Sequence, residues 1–182
     1  MNRSAYRRRS PICTSLFIAG VTVALVAGIS AAAGLRLNLT GSIPPGIYRT
    51  IDSNTVRGAI VLVCLPANVA GPARQRGYIP SGSCPGGTSP IGKPVVAIAG
   101  DTVDVDERGV AVNGTLLTNS RPLTRDSYGA ELMILRTVNH IVSDDELWLV
   151  SSHSPRSFDS RYFGPVRRSD VRARLSPVLV ER

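Results

Sequence analysis

Ser42 and Lys93 are the two residues of the 182-residue chain whose chemistries complement each other. Ser42 sits in Thr40-Gly41-Ser42-Ile43-Pro44-Pro45-Gly46-Ile47-Tyr48. Gly41 lets the chain bend or approach another group closely. Pro44 and Pro45 fix φ and push the residues before them toward extended geometry, which keeps Ser42 out of any helix. Taken alone, the stretch also fits a proline-rich turn leaving an apolar segment. A serine becomes a nucleophile only when a base takes its proton. A histidine base would have to be His140, at the end of a predicted strand, or His153, in a Ser-rich loop. No motif ties either to Ser42, and both read as surface or loop histidines. Metal-dependent hydrolysis would need a ligand cluster, which the sequence lacks. A lysine can act as base when it is neutral, and burial in apolar surroundings lowers its pKa. Lys93 is the only lysine, every other basic side chain being arginine or histidine, and arginine keeps its proton. Lys93 begins an apolar run to Ala99 that can supply the burial. A lone lysine at a strand start otherwise reads as a solvated charge, but beside Ser42 a Ser-Lys dyad fits best.

The elements that must position this pair follow from length, charge and patterning. The length allows one domain. The formal net charge is +8, part of it in the N-terminal run Arg3, Arg7, Arg8 and Arg9, which has a topological explanation. No interleaved basic-aromatic pattern or zinc-finger spacing points to nucleic acid as a partner. Residues 1–10 read as a basic cytoplasmic N-terminus. Residues 11–35 carry no charge and can cross a bilayer as a helix. The arginines before this run place the remainder, 36–182, outside the cytoplasm. A cleaved signal sequence is the alternative, because Ser30-Ala31-Ala32-Ala33 offers small residues for cleavage. Either way the domain is exported, at the bacterial inner membrane facing the periplasm or free in the periplasm. With the anchor retained, the linker from Leu35 to Ser42 spans at most roughly 25 Å, so Ser42 would work near the membrane on a membrane-bound substrate. Cys13 lies in the apolar run. Cys64 and Cys84 lie beyond it and form a natural disulfide pair in an exported domain.

Past Tyr48 the pattern is mainly β. Strands are expected at Ala59–Leu65, Lys93–Ala99, Thr102–Asp106, Leu132–Val138, Glu146–Val150 and Pro177–Val180. A hairpin is expected across Asn113-Gly114. Residues 66–92, rich in Pro, Gly, Ser and Arg, read as a long loop, and no stretch outside 11–35 reads as a strong helix.

Four segments, in order, resemble the boxes of type I signal peptidases. They are Thr40-x-Ser42-x-x-Pro45, Arg57-Gly58-Ala59-Ile60-Val61, Lys93-Pro94-Val95-Val96-Ala97-x-Ala99-Gly100-Asp101-x-Val103, and Ser157-x-Asp159-Ser160-Arg161-Tyr162-Phe163-Gly164. The finer resemblance is to the conjugative-transfer branch of that family. It rests on Ser42 to Tyr48, Cys64-x-Pro66, Gly77-Tyr78-Ile79, Gly82-x-Cys84-Pro85-Gly86-Gly87 and Lys93. The general peptidases enter the last box through Gly-Asp-Asn-Arg, and the corresponding stretch of this chain is near Ser151-Ser152-His153-Ser154.

The resemblance implies a signal-peptidase-like β domain behind one N-terminal helix and an activity that needs no cofactor. It makes Ser42 the nucleophile and Lys93 the base. Thr40 would be an oxyanion donor beside the Ser42 backbone N–H. Ile43, Pro44 and Pro45 would contact substrate. It leaves Asp159 either structural, paired with Arg161, or supportive of the dyad. The implied substrate is a membrane-bound pilin precursor or another conjugation protein, cleaved and joined end to end in some members. The rivals are a general type I signal peptidase and a non-catalytic assembly component of a transfer apparatus. Autocleaving Ser-Lys repressors share the dyad but lack a membrane segment.

Overall fold

The computed structural model describes residues 11–52 and 54–181. The basic stretch expected in the cytoplasm, 1–10, lies outside them. The chain opens with α1 (Pro11–Ala32). Its side chains at 11–14, 26, 30 and 31 lie outside the described set. Among the described residues no helix is long and apolar enough to cross a membrane, so the anchor at 11–35 remains a proposal from the sequence.

Strands β1 (Leu35–Asn38) and β2 (Gly46–Ile51) pair antiparallel, with Asn38 opposite Gly46. The loop between them, residues 39–45, carries Ser42. Next come β3 (Ile60–Val63), α2 (Ala67–Gln75), β4 (Ile91–Ala97), β5 (Thr102–Val105), β6 (Val110–Val112) and β7 (Thr115–Leu116). They are followed by β8 (Thr137–Ile141), β9 (Glu146–Leu149), the single turn α3 (Ser160–Phe163), β10 (Val166–Arg167) and β11 (Val171–Val180). A seven-stranded sheet runs β1-β2-β11-β3-β4-β9-β10, and a four-stranded sheet runs β7-β6-β5-β8. The mainly β expectation holds. Asn113 and Gly114 both take positive φ, 50° and 77°, as the two-residue turn between β6 and β7 requires.

Several boundaries differ from expectation for physical reasons. The long loop expected over 66–92 contains α2, which starts after Pro66 and includes Gly71 and Pro72. Those residues hide it in the sequence. It is held by burying Ala70 and Ala73, three positions apart on one face, against Val61, Val63 and Ile79. The last strand is ten residues long, not four. Val171, Ala173 and Leu175 alternate with Arg172, Arg174 and Ser176, a period-two signal that the arginines obscure. β8 begins at Thr137 instead of Leu132, because the backbone of 132–135 is bonded elsewhere: Leu132 N–H donates to Thr124 O and Leu135 N–H to Arg161 O.

Among the described residues three clusters of buried side chains form the core, and two of them share strands β4 and β9. One gathers Val61, Val63, Val95, Leu147 and Leu149, the other Ala97, Val103, Val110, Trp148 and Val150. Fully burying each of these Val and Leu side chains contributes about 1.5–3 kcal/mol. β4 serves both cores. Its inward face is Lys93, Val95 and Ala97, the period-two set of a strand.

Cys64 and Cys84 are disulfide-bonded across 20 positions, tying the turn after α2 to the end of β3. Alkylation of the unreduced, denatured exported protein is expected to leave both unlabelled. Reduction should lower unfolding free energy by about 2–4 kcal/mol. Reactive thiols at both positions in the unreduced protein would contradict the bridge.

Candidate active site

Lys93 is positioned by strand geometry. The sequence suggests a strand beginning at Lys93, but β4 begins at Ile91, so Lys93 lies inside the ladder opposite Val61. Its side chain shares the inward face with Val95 and is 3% exposed. Burial pushes its pKa from 10.5 down to about 8; Asp159 acts against that shift and Arg161 adds to it.

Ser42 is positioned by its neighbours. Ile43 is 2% exposed and packs with Tyr48 and Leu175. A Cβ added at Gly92 would lie 3.3 Å from Ile43 Cδ1, so the glycine beside Lys93 leaves room for the residue beside Ser42. Gly46, with φ of 147°, ends the loop where a Cβ would come within 2.2 Å of Leu179 O; only glycine lets β11 approach there. Asn38 closes the loop. Its Nδ2 donates to the carbonyls of Thr40, Ile43 and Pro44 at 2.9, 3.1 and 3.3 Å.

These placements bring Lys93 Nζ to 2.5 Å from Ser42 Oγ and 2.7 Å from Ser157 Oγ. The two serine oxygens are 3.4 Å apart. In the sequence Ser157 stands out only as the first residue of the last box, and nothing in its spacing points to a contact with lysine.

Asp159 and Arg161 form a fully buried bidentate pair, Nε to Oδ1 at 2.8 Å and Nη2 to Oδ2 at 2.7 Å. Asp159 also caps α3, accepting from Arg161 N–H at 3.3 Å. The remaining Arg161 donors reach the carbonyls of Asn119, Arg121, Pro155 and Ser157, stitching the 119–121 loop to the 155–157 loop. Of the two roles left open for Asp159, the geometry exhibits the pairing. No hydrogen bond joins its carboxylate to Ser42 or Lys93.

The other expected residues fall differently. Thr40 is exposed beside Ser42, and its hydroxyl donates to Asn38 Oδ1 at 2.7 Å, so an oxyanion role requires that hydroxyl to rotate. Pro44 and Pro45 sit behind the cleft and do not line it. Their carbonyls accept from Tyr48 Oη at 2.7 Å and Glu181 N–H at 3.0 Å. Those contacts help hold the loop, and Ile43, buried among Tyr48 and Leu175, anchors it. Of these three residues expected to contact substrate, Ile43 borders the cleft and the two prolines do not. His140, in β8 of the small sheet, pairs with Glu146 of β9 at 2.9 Å, and His153 is exposed; neither hydrogen-bonds Ser42.

Ser42 and Lys93 open onto a cleft of about 1340 Å³. One wall is aromatic, with Phe158 stacked near Tyr162 and tilted against Tyr78, centroids 5.9 and 5.1 Å away. Tyr78 donates to Asp126 at 2.5 Å, and Arg156 bonds Ser127, tying the 123–132 segment along the rim.

A β fold that seats a serine against a buried, pKa-lowered lysine has the arrangement of Ser-Lys peptidases, and the chain belongs to the signal peptidase family, peptidase S26, which it matches over residues 12–180. Its relatives narrow the branch. It is 41% identical over 169 residues to plasmid transfer protein TraF of Escherichia coli, covering 92% of this chain and 95% of that one. It is 40% identical over 185 residues to a probable conjugal transfer protein TraF of Sinorhizobium fredii, covering 97% and 93%. The conjugal transfer protein TraF of Agrobacterium tumefaciens is 36% identical over 167 residues, covering 90% of each. Among solved structures, a signal peptidase I from Enterococcus faecalis aligns with 68% of this chain and 98% of its own, at 18% identity and a TM-score of 0.40.

Proposed function

We propose that this protein is a membrane-anchored serine endopeptidase that matures a pilin precursor for conjugative transfer. The observation that carries the reading is the 2.5 Å contact between Ser42 Oγ and a lysine buried to 3% exposure. Neutral Lys93 takes the Ser42 proton as Oγ attacks the scissile carbonyl. The Ser42 N–H and a rotated Thr40 hydroxyl stabilise the oxyanion. Lys93 then returns the proton to the departing amine, leaving an acyl-enzyme. Water releases a linear product. An amine from the substrate's own N-terminus releases a ring, because either nucleophile can resolve an ester. Ser157, within 2.7 Å of Nζ, orients the lysine.

The substrate class is drawn from the relatives' conjugal transfer names together with the aromatic cleft. The uncharged run 11–35 supports an anchor in the bacterial inner membrane with the domain in the periplasm. The test is the intact mass of a co-expressed candidate pilin precursor, with and without this protein. Processing is expected to shorten it, and a product about 18 Da lighter than the linear cleaved form is a ring, one water having been lost. A precursor left whole by folded wild-type protein overturns the reading, as does one still cut by Ser42→Ala. Rescue of bulk leader-peptide removal in cells depleted of their own enzyme would favour the general signal peptidase instead.

A further inference from the structure

Ser151 takes no part in the dyad, yet it is fully buried and touches the nucleophile's backbone. Its Oγ donates to the Ser42 carbonyl oxygen at 2.6 Å. A serine hydroxyl has one proton and two lone pairs. Here the N–H groups of His153 and Ser154 approach the same oxygen at 3.2 and 3.3 Å, which leaves the proton aimed at Ser42. The Ser151 N–H in turn donates to Asp159 Oδ2 at 3.0 Å. A continuous chain therefore runs from the buried Asp159–Arg161 pair, through Ser151, to the peptide following Ser42.

We propose that Ser151 is a positioning residue that locks the backbone of Ser42 so that Oγ meets Lys93 and the Ser42 N–H faces the oxyanion. This rests on the Ser-Lys reading. Gly41, just before the nucleophile, has no Cβ, and an added one would meet only Ser154 side-chain atoms, at 3.8 and 3.9 Å. Sterics therefore do little to fix the peptide on that side. On the other side Ile43 is anchored in the core, and the carbonyl between them is held by Ser151. Holding that carbonyl fixes ψ of Ser42. Losing the clamp lets Oγ swing, and a misplacement of about 1 Å costs on the order of 100-fold in rate.

The test uses purified full-length protein in detergent micelles and p-nitrophenyl acetate as acylating probe. Ser42→Ala and Lys93→Ala should abolish the burst of p-nitrophenolate; a persisting burst in either sinks the dyad reading itself, separately from this inference. In Ser151→Ala the burst rate should fall about 10–100-fold, with burst amplitude, probe half-saturation and the pH limb unchanged. A merely structural role would instead lower the amplitude and the melting temperature and leave the rate of the folded fraction intact. The Ser42 carbonyl ¹³C resonance should shift with loss of the hydrogen bond. If Ser151→Ala does not melt cooperatively, Ser151→Cys, a weaker donor of similar size, is judged by the same measures. A burst rate within twofold of wild type, or an unmoved Ser42 carbonyl resonance, overturns the proposal.

Discussion

Lys93→Arg is expected to abolish precursor processing, although charge and approximate length are kept. A guanidinium cannot take the serine proton at working pH, and burial pushes the native lysine down to about 8. In the wild type, activity should rise about tenfold between pH 7 and pH 9, following the neutral fraction of the base, with no limb near 6.5, the histidine value. Stability follows the same titration. Between about 8 and 10.5 the unfolded chain binds more protons at this site than the folded one, so stability rises with pH across that window. Below pH 8 the buried ammonium imposes its full cost, on the order of 3 kcal/mol. Lys93→Met, which fills the space without charge, should therefore be inactive yet melt higher than wild type at pH 7. Folded Lys93→Arg protein that processes its substrate at near wild-type rate would refute the assignment. A Lys93→Met protein that melts lower at pH 7 would refute the account of the burial cost.

Asp159→Ala should be the most destabilising single substitution in the C-terminal box. It strands a guanidinium that is 0% exposed, and breaking a buried pair this way costs about 3–5 kcal/mol. For a domain of this size the melting temperature should fall by about 6–20 °C. Removing both charges with Asp159→Ala/Arg161→Met should cost less than Asp159→Ala alone, because no buried charge is left unpaired. Thermal melts of the two variants decide the matter. A double variant no more stable than the single one would mean that Asp159 acts chiefly through its backbone contacts, the α3 cap and Ser151, and not as the counterion of Arg161.

Local signals account for much of what was readable beforehand. The Asn113-Gly114 hairpin, the strands at β3, β5 and β9, and the Cys64–Cys84 pair all appear where short-range pattern put them. Ser42 and Lys93 stood out because their residue types are chemically complementary and each sits in a distinctive stretch. Where the reading failed, the deciding contact was long-range. α2 exists because Ala70 and Ala73 find a core to bury against, not because Gly71 and Pro72 favour a helix.

By itself the sequence determined the family boxes, the β class and a serine-lysine pair in which histidine has no part, because residue type and nearest-neighbour spacing are enough to specify them. Tertiary structure alone decided how that pair is made reactive. The contacts of Lys93 with Ser42 and Ser157 span 51 and 64 positions, and that of Ser151 with Ser42 spans 109. Such contacts leave no periodicity in the chain. The apolar run after Lys93 suggested the burial that lowers its pKa, but the burial itself comes from packing around the whole side chain. It follows from the packing around β4, whose inward face sets Lys93 beside Val95 and away from water.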